Sequence, residues 1–301
     1  MPDRDCLHRF VFEHYPIRGH LVHLDAAWRA LIEHREYPDM VRALLGEAVA
    51  ASLLLAATVK FDGVLSLELR GDGPVHLLLA QCTQGLGVRG LARFRDGFSP
   101  SGSPAVGELI GAGNLTVTLE SDDGAQRYQG IVPIGGARLA DSLQVYFANS
   151  EQLPTRLWLH AGASGVSGML LQRLPQGERG AASAAEVEDA WRRVQLIGDT
   201  LTPEELSTLG DAEILHRLFN EDDLRLFEPS PVYFRCRCSR ERVAGMLHGL
   251  GAAETRSVLA ERGEVEVRCD FCNRAYVFDA VDVEQLFNAA GLASHGGGSI
   301  H

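Results

Sequence analysis

The chain has 301 residues, of which 46% are hydrophobic, and it carries a formal net charge of −12. This length suggests two or three folded units, and the apolar fraction suffices to bury ordinary cores. The acidic balance argues against a protein that binds nucleic acid through charge alone, and the N-terminus lacks the apolar run of a secretory signal. We therefore expect a cytoplasmic protein, whose thiols stay reduced.

Residues 1–177 predict one α+β domain. Short alternating apolar runs predict strands, and the turn sequences GDGP at 71–74 and DDG at 122–124 predict two hairpins. Because these strands follow one another instead of alternating with helices, we expect a mainly antiparallel sheet with helices packed on it. The apolar segment 41–59 approaches the length of a membrane span. Its charged residues and many alanines favour a buried core helix, and we expect no membrane contact.

Residues 178–230 predict a helical linker. Apolar side chains recur at helical spacing from Val187 to Val194. The sequence TPEE at 202–205 combines a capping box with proline at the first helical position, and Asp211 is expected to cap a further helix.

The charge of this region leaves its behaviour open. Residues 176–230 hold 13 acidic side chains against 5 arginines, which is two thirds of the net charge of the chain. The apolar stripes need a partner surface, whereas the charge opposes tight packing. Two interpretations follow: a marginally stable segment that docks or melts, and an ordinary solvated helical hairpin.

Residues 231–288 predict a small C-terminal unit, and residues 289–301 a disordered tail. Ser239 can cap a first helix that ends at Gly251, and a second helix is expected to end near Gly263. The segments EVEVRC and AYVFDA predict two paired strands before a last helix. The apolar face of the first helix is predicted to comprise Val243, Met246, Leu247 and Leu250.

Four of the six cysteines lie in this small unit, as Cys236-x-Cys238 and Cys269-x-x-Cys272. Zinc prefers soft thiolate ligands in a tetrahedron, which two closely spaced pairs can supply. We therefore predict one Zn²⁺ per chain, bound by Cys236, Cys238, Cys269 and Cys272. Four thiolates leave no open coordination position, so the site is expected to be structural or regulatory and not hydrolytic.

Two roles for the zinc stay open on chemistry alone. The first is purely structural. The second is a redox switch, because cations near thiols favour the thiolate, which is the form that binds metal and the form that is oxidised. Oxidising a pair removes two ligands, so it should expel the metal and unfold the unit. The nearby cations are Arg235, Arg237, Arg240, Arg242, Arg268 and Arg274.

The cysteine pairs and their surroundings, FEPSPVYFRCRCSRERVAGML and ERGEVEVRCDFCNRAYVFDAVDVEQLF, resemble heat-shock protein thirty-three, the family of redox-regulated holdase chaperones of bacteria. The resemblance extends through RFVFEHYPIRGHLVHL, LLGEAVAASLLLAATVKFDGVLSLELRGDGPVHLL and GDAEILHRLF. It spans nearly the whole chain, apart from the alanine-rich start of the linker and the tail.

This resemblance implies a specific function. The reduced, zinc-bound form is expected to be a largely inactive monomer. Oxidation is expected to form the disulfides Cys236–Cys238 and Cys269–Cys272, release zinc, unfold the small unit and the linker, and expose a surface that holds unfolding client proteins without ATP. The oxidised form is expected to be a homodimer, and reduction to allow hand-off of clients to ATP-dependent chaperones.

An alternative function is a permanent zinc-ribbon module that docks RNA or a protein partner through its arginines. The net charge and the missing aromatic stacking platform disfavour nucleic acid as the partner. A thiol–disulfide oxidoreductase that uses Cys269-x-x-Cys272 is disfavoured too, because nothing around that motif resembles its usual βαβ setting.

The remaining motifs do not predict an enzyme. The match Gly85-x-Gly87-x-x-Gly90 is not followed by a helix start, so we interpret it as a loop. Cys6 and Cys82 are expected to be buried apolar thiols. The N-terminal histidines lack the spacing of metal ligands and are expected to have ordinary packing or surface roles; they are His8, His14, His20 and His23.

Overall fold

The computed structural model describes residues 4–98, 104–163, 165–175 and 183–293. The chain divides into two compact units, residues 1–235 and 236–301. The strands of the first unit are β1 (Cys6–Phe12), β2 (Ile17–Leu24), β3 (Gly63–Gly71), β4 (Val75–Thr83), β5 (Gly87–Phe94), β6 (Gly113–Ser121), β7 (Arg127–Pro133), β8 (Thr155–Gly162), β9 (Gly165–Arg173), β10 (Leu224–Leu226), β11 (Ser230–Pro231) and β12 (Tyr233–Phe234). Its helices are α1 (Ala26–Ile32), α2 (Asp39–Thr58), α3 (Val106–Ile110), α4 (Leu139–Tyr146), α5 (Ala184–Gly198), α6 (Pro203–Thr208) and α7 (Asp211–Phe219), with a π-helical turn at Phe147–Glu151.

The strands of this unit form two sheets, so the predicted α+β fold with mainly antiparallel pairing is confirmed. The first sheet has the order β10-β1-β2-β9-β8, with β11 also paired to β1, and the second has the order β12-β5-β4-β3-β6-β7. Among the described strands, β12 and β5 form the one parallel pair. The hairpins predicted at 71–74 and 122–124 join β3 to β4 and β6 to β7.

Helix α2 lies in the main hydrophobic core between the two sheets. It is long and apolar enough to cross a membrane, but 72% of its most apolar window is buried inside the fold. Its side chains contact strands of both sheets, including β4 and β9. The prediction of a core helix over 41–59 is therefore confirmed.

The opposite face of the first sheet is covered by α5, α6 and α7, which come from the predicted linker. We call the apolar side of the sheet beneath these helices the docking face; it comprises Phe10, Phe12, Ile17, Leu21, Trp158, Met169 and Leu171. Trp191, Val194 and Phe219 are among the linker side chains buried against it. The apolar stripes seen in the sequence thus find their partner surface, while the stability of the linker and its boundaries at 178 and 230 stay predictions. Residues 176–182, which include the start of the linker, lie outside the described residues.

The C-terminal unit contains α8 (Arg240–Leu250), α9 (Ala252–Arg262), the antiparallel pair β13 (Val265–Arg268) and β14 (Ala275–Phe278), and α10 (Ala280–Ala293). The Ser239 side chain accepts a hydrogen bond from the Arg242 backbone amide, as its predicted role as a cap requires. Helix α9 ends at Gly263, whose φ of 80° suits glycine.

Helix α10 reaches further than the sequence predicts. Residues 289–293, assigned to the start of the tail, continue this helix, because the run NAAGLA contains no proline and is rich in alanine, the strongest helix former. The rest of the predicted tail, residues 294–301, lies outside the described residues.

Candidate metal centre

The four sulfur atoms come from two short irregular segments of the C-terminal unit. Cys236 and Cys238 lie just before α8, and Cys269 and Cys272 lie in the turn that joins β13 to β14. That turn is closed by the Cys269 amide, which donates to the Arg274 carbonyl, and by the Asn273 amide, which donates to the Cys269 carbonyl. The tight turn places both of its thiols at the same end of the hairpin.

All four sulfur atoms lie within 4.8 Å of one another, and all four thiols are free. The Cys236 Sγ lies 3.3 Å from Cys238 Sγ and 3.6 Å from Cys269 Sγ. The Cys238 Sγ lies 3.4 Å from Cys272 Sγ. The four cysteines predicted from the sequence therefore meet at one point and could hold a metal ion.

These distances fit a metal better than a disulfide. A tetrahedral zinc with Zn–S bonds of about 2.3 Å separates its sulfurs by about 3.8 Å, whereas a disulfide requires about 2.05 Å. Every pair of the four is also close enough that a small movement would allow a disulfide. Geometry alone thus leaves the choice of pairs open.

The environment of Cys238 favours its thiolate. The Tyr276 hydroxyl donates a hydrogen bond of 3.1 Å to the Cys238 Sγ. Burial by itself raises the pKa of this thiol, but the hydrogen bonds from Tyr276 and the neighbouring thiols outweigh it and lower the pKa to about 7. Burial raises the pKa of the neighbouring Cys236 thiol. One thiol of the first pair is thus set up to ionise before the other.

The cations that the sequence suggested are only partly directed at the thiols. Arg240 forms an ion pair with Asp282, and Arg268 forms one with Glu266. Arg274 interacts with the Tyr276 hydroxyl and the charges of nearby thiols, which raise its pKa. The expectation that six arginines act on the thiolates is therefore too broad, because two of them are paired elsewhere.

The unit around the thiols has a small apolar core. Among the residues whose side chains the structure describes, its buried members are Val243, Leu247, Val265, Tyr276, Phe278 and Val283. A unit of this size rarely supplies enough core energy for independent folding. Bonds from four thiolates to one metal ion would therefore contribute a large share of its stability.

A second polar cluster, which the sequence did not predict, joins the linker helices to the first sheet. The Asp211 carboxylate lies 2.5 Å from the Nδ1 of His8 and 2.7 Å from the Nδ1 of His23. The Nε2 of His23 lies 2.7 Å from the Leu206 carbonyl oxygen. Because both ring nitrogens of His23 face acceptors, this geometry favours the protonated ring, which can form an ion pair with Asp211. We call these three side chains the histidine clamp.

The clamp corrects two expectations. Gly210, not Asp211, occupies the cap position of α7, and the Asp211 side chain points to the sheet instead. Two of the N-terminal histidines also have a specific structural role, since His8 and His23 hold α7 through Asp211.

The thiol of Cys6 lies 3.8 Å from the His8 Nδ1, so Cys6, His8 and Asp211 form a group with the ligand types of a metal site. The distances between the Cys6 thiol, the His8 ring and the Asp211 carboxylate are those of hydrogen bonds, so hydrogen bonding accounts for this group without a metal ion. Cys82 is buried as expected, and burial raises its pKa to about 12.

Comparison with known proteins gives one consistent result. Residues 5–279 match the family model described as Hsp33 protein. The 33 kDa chaperonin of Nitrosococcus oceani is 48% identical over 289 residues, which cover 95% of this chain and 96% of the relative. The 33 kDa chaperonin of Pseudomonas aeruginosa is 44% identical over 292 residues, which cover 97% of each chain.

A solved structure shows the same fold. The crystal structure of the 33 kDa chaperonin from Thermotoga maritima superposes with a TM-score of 0.80, covering 96% of this chain and 99% of that chain, at 22% identity. At this low identity the match concerns the fold alone.

Proposed function

Because the chain belongs to the Hsp33 family, we propose that it is a redox-regulated, ATP-independent holdase chaperone of the cytoplasm and not an enzyme. The observation that carries this proposal is the meeting of four free thiols within 4.8 Å of one another. They lie within reach both of one metal ion and of each other. Such a set can exist in two covalent states, and only one of them can bind metal.

In the reduced state, Cys236, Cys238, Cys269 and Cys272 hold one Zn²⁺. Bound zinc ties the two cysteine segments together, with a binding free energy on the order of 10–16 kcal/mol for structural sites. The buried core around them is small in the part of the unit that the structure describes. The fold of residues 236–288 therefore depends on the four thiolates remaining ligands.

Oxidation joins Cys236 to Cys238 and Cys269 to Cys272. Each pair of thiolates gives two electrons to an oxidant such as peroxide or hypochlorite, which takes up protons from solvent and is reduced to water, or to chloride and water. A disulfide offers no thiolate, so all four ligands are lost and the small unit unfolds. This choice of pairs rests on the family resemblance and on sequence proximity.

The linker then leaves the docking face. Its charge opposes tight packing, since residues 176–230 carry 13 acidic side chains against 5 arginines. Undocking uncovers Phe10, Phe12, Trp158 and their apolar neighbours on the docking face. A continuous apolar patch of this kind binds the exposed core residues of unfolding proteins.

The same surface accounts for the remaining parts of the proposal. Two oxidised chains would cover part of it by forming a homodimer. Reduction restores the thiolates and the docked linker, which compete with the bound client and allow hand-off to ATP-dependent chaperones. The functional divisions are then residues 1–177 for the core, 178–230 for the linker, 231–288 for the switch and 289–301 for the tail.

The test measures zinc, thiols and activity on one sample. Reduced protein is treated with peroxide at a heat-stress temperature, and released zinc, remaining thiols and suppression of the aggregation of a thermally unfolding client are followed together. We expect one zinc to leave as four thiols disappear, and activity to appear in parallel. The variant Cys82→Ser is the matched control, because Cys82 is a buried thiol that is not one of the four clustered cysteines.

Two results would count against the proposal. Oxidised protein that has lost its zinc and still fails to suppress aggregation would exclude the switch. Zinc retention with thiols that resist oxidation would make the site purely structural. Salt-sensitive binding of RNA by the reduced form would then favour a permanent zinc-ribbon module.

A further inference from the structure

A cleft in the N-terminal unit is lined by three basic side chains. Arg9 on β1, Arg18 on β2 and Lys60 after α2 contribute to its wall, and Ser230 and Pro231 of β11 close one side. We call it the cationic cleft. Its described lining contains no aspartate or glutamate. That is unusual in a chain whose net charge is −12.

The strand register brings the two arginines together. Arg9 lies directly opposite His20 across the β1–β2 pair, and Val11 lies opposite Arg18. Alternation along the strands therefore places Arg9, Arg18 and His20 on one face, with the two arginines on a diagonal. Like charges so placed repel each other, which costs stability unless an anion compensates.

Arg18 is held rigidly, but not by a carboxylate. Its Nε donates to the Gln172 Oε1 at 3.0 Å, and its Nη2 donates to the Thr58 carbonyl oxygen at 2.8 Å. Burial, followed by the charge of Arg9, lowers the pKa of Arg18. The negative end of the α2 dipole, where Thr58 lies, offsets part of this cost.

Arg9 and Lys60 lack even that compensation. Among the described residues, neither side chain forms an ion pair or a side-chain hydrogen bond. Lys60 also borders a neighbouring cleft that contains Asp62 and Asp122, so these carboxylates offset part of its positive charge. Arg9 has no such neighbour in the lining. Arg9 is an exposed cation that lines a cleft whose other charged side chains are also positive.

His20, which lies on the same face of the sheet as these arginines, has a ring nitrogen without a hydrogen-bond partner among the described residues. Its side chain is buried, and its Nδ1 has no hydrogen-bond partner in the part of the chain that the structure describes. Burial, then the charges of Arg18 and Arg9, lowers the pKa of His20 to about 3. The ring is therefore neutral at pH 7, so it neither adds a charge nor supplies the missing anion.

The geometry points to an oxyanion of the phosphate class, such as pyrophosphate or the phosphates of a nucleotide, as the ligand of the cationic cleft, with Arg9 as its principal specificity residue. The guanidinium groups of arginine match the geometry of phosphate oxygens and can bind them bidentately. A cleft lined by one sign of charge also concentrates ions of the opposite sign. None of the four clustered cysteines is among the residues that line this cleft.

The experiment uses the reduced, zinc-loaded full chain in a chloride buffer. Inorganic pyrophosphate, ADP and citrate are each titrated by calorimetry, with zinc retention checked at the end. We expect saturable binding of pyrophosphate and ADP with one site per chain. Arg9→Ala should weaken this binding about tenfold or more, because a hydrogen-bonded pair of charged groups contributes roughly 1.5–3 kcal/mol.

Two further variants keep the test sharp. Arg42→Ala removes one exposed arginine of α2, outside the cleft lining, and should leave the affinity unchanged. Lys60→Ala should weaken binding less than Arg9→Ala. Binding by Arg9→Ala equal to that of the wild type would overturn the proposal. So would the lack of saturable binding at concentrations up to about 10 mM, or binding of citrate alone.

Discussion

Replacing Phe219 by alanine should release the linker helices without any oxidation. Phe219 is the last residue of α7 and is 2% exposed. Its ring packs edge-to-face against Phe12 of the docking face, with ring centres 5.3 Å apart. The substitution removes this contact and leaves a cavity between helix and sheet.

The size of the effect follows from its burial. Truncating a buried phenylalanine to alanine costs about 3–5 kcal/mol, of which the aromatic pair contributes about 0.5–1.5 kcal/mol. Applied to docking, this lowers the docking equilibrium constant by a factor of about 10² to nearly 10⁴. A segment already opposed by its own charge should then be largely undocked.

Hydrogen–deuterium exchange of the amides in α6 and α7 measures the docking directly. The reduced, zinc-loaded Phe219→Ala protein should lose protection there while the main core around α2 keeps it. Leu196→Ala is the matched control, because Leu196 lies on the linker helix α5 but is 64% exposed. It should change stability by no more than about 0.5 kcal/mol.

The functional readout is suppression of client aggregation by the reduced protein. Phe219→Ala should be active without oxidant, and Leu196→Ala should stay inactive. Equal protection of α6 and α7 in both variants would refute the packing argument. Undocked helices without client binding would show instead that the docking face is not the client surface.

Three other results are expected. Burial lowers the pKa of His23, but the hydrogen bond and charge of Asp211 outweigh it and raise this pKa above its usual value of about 6.5. The stability that the histidine clamp gives is therefore complete below about pH 6.5 and is lost as the pH rises through the raised pKa. The thermal midpoint should fall as pH rises in the wild type and should depend less on pH in His23→Gln. Ser239→Ala removes the cap of α8 and should cost about 0.5–2 kcal/mol; it should lower the chelator concentration at which the reduced C-terminal unit unfolds. Complete zinc removal by a chelator under reducing conditions should unfold residues 236–288 and leave the far-ultraviolet signal of the N-terminal unit; a C-terminal unit that stays folded without metal would contradict its dependence on the thiolates.

Local signals in the sequence predicted much of the structure correctly. The cap at Ser239 and the capping box at Thr202 each involve atoms within three residues, so nearby sequence suffices to identify them. The hairpins after β3 and β6 depend on short turn sequences. The four cysteines could be grouped because thiolate chemistry limits what two such pairs can bind.

Other elements lacked a local signal. Strand β5 begins at Gly87, within the glycine motif that we interpreted as a loop, and it is held by pairing with β4. Met246 and Leu250 were expected on the buried face of α8, but they are 54% and 56% exposed. The small core of the unit covers Val243 and Leu247 alone on that face, and helical spacing cannot tell how wide a partner surface is.

The sequence by itself determined the order of helices and strands in the C-terminal unit, the central core helix and the grouping of the four thiols, because each depends on hydrophobic period, turn chemistry or the spacing of the cysteines. Only the tertiary structure decided where Asp211 points, what the linker helices cover and that Arg9 and Arg18 share one cleft. Asp211 meets His8 across 203 positions of the chain. Contacts of that range are set by strand register and by the burial of whole faces, which no short stretch of sequence encodes.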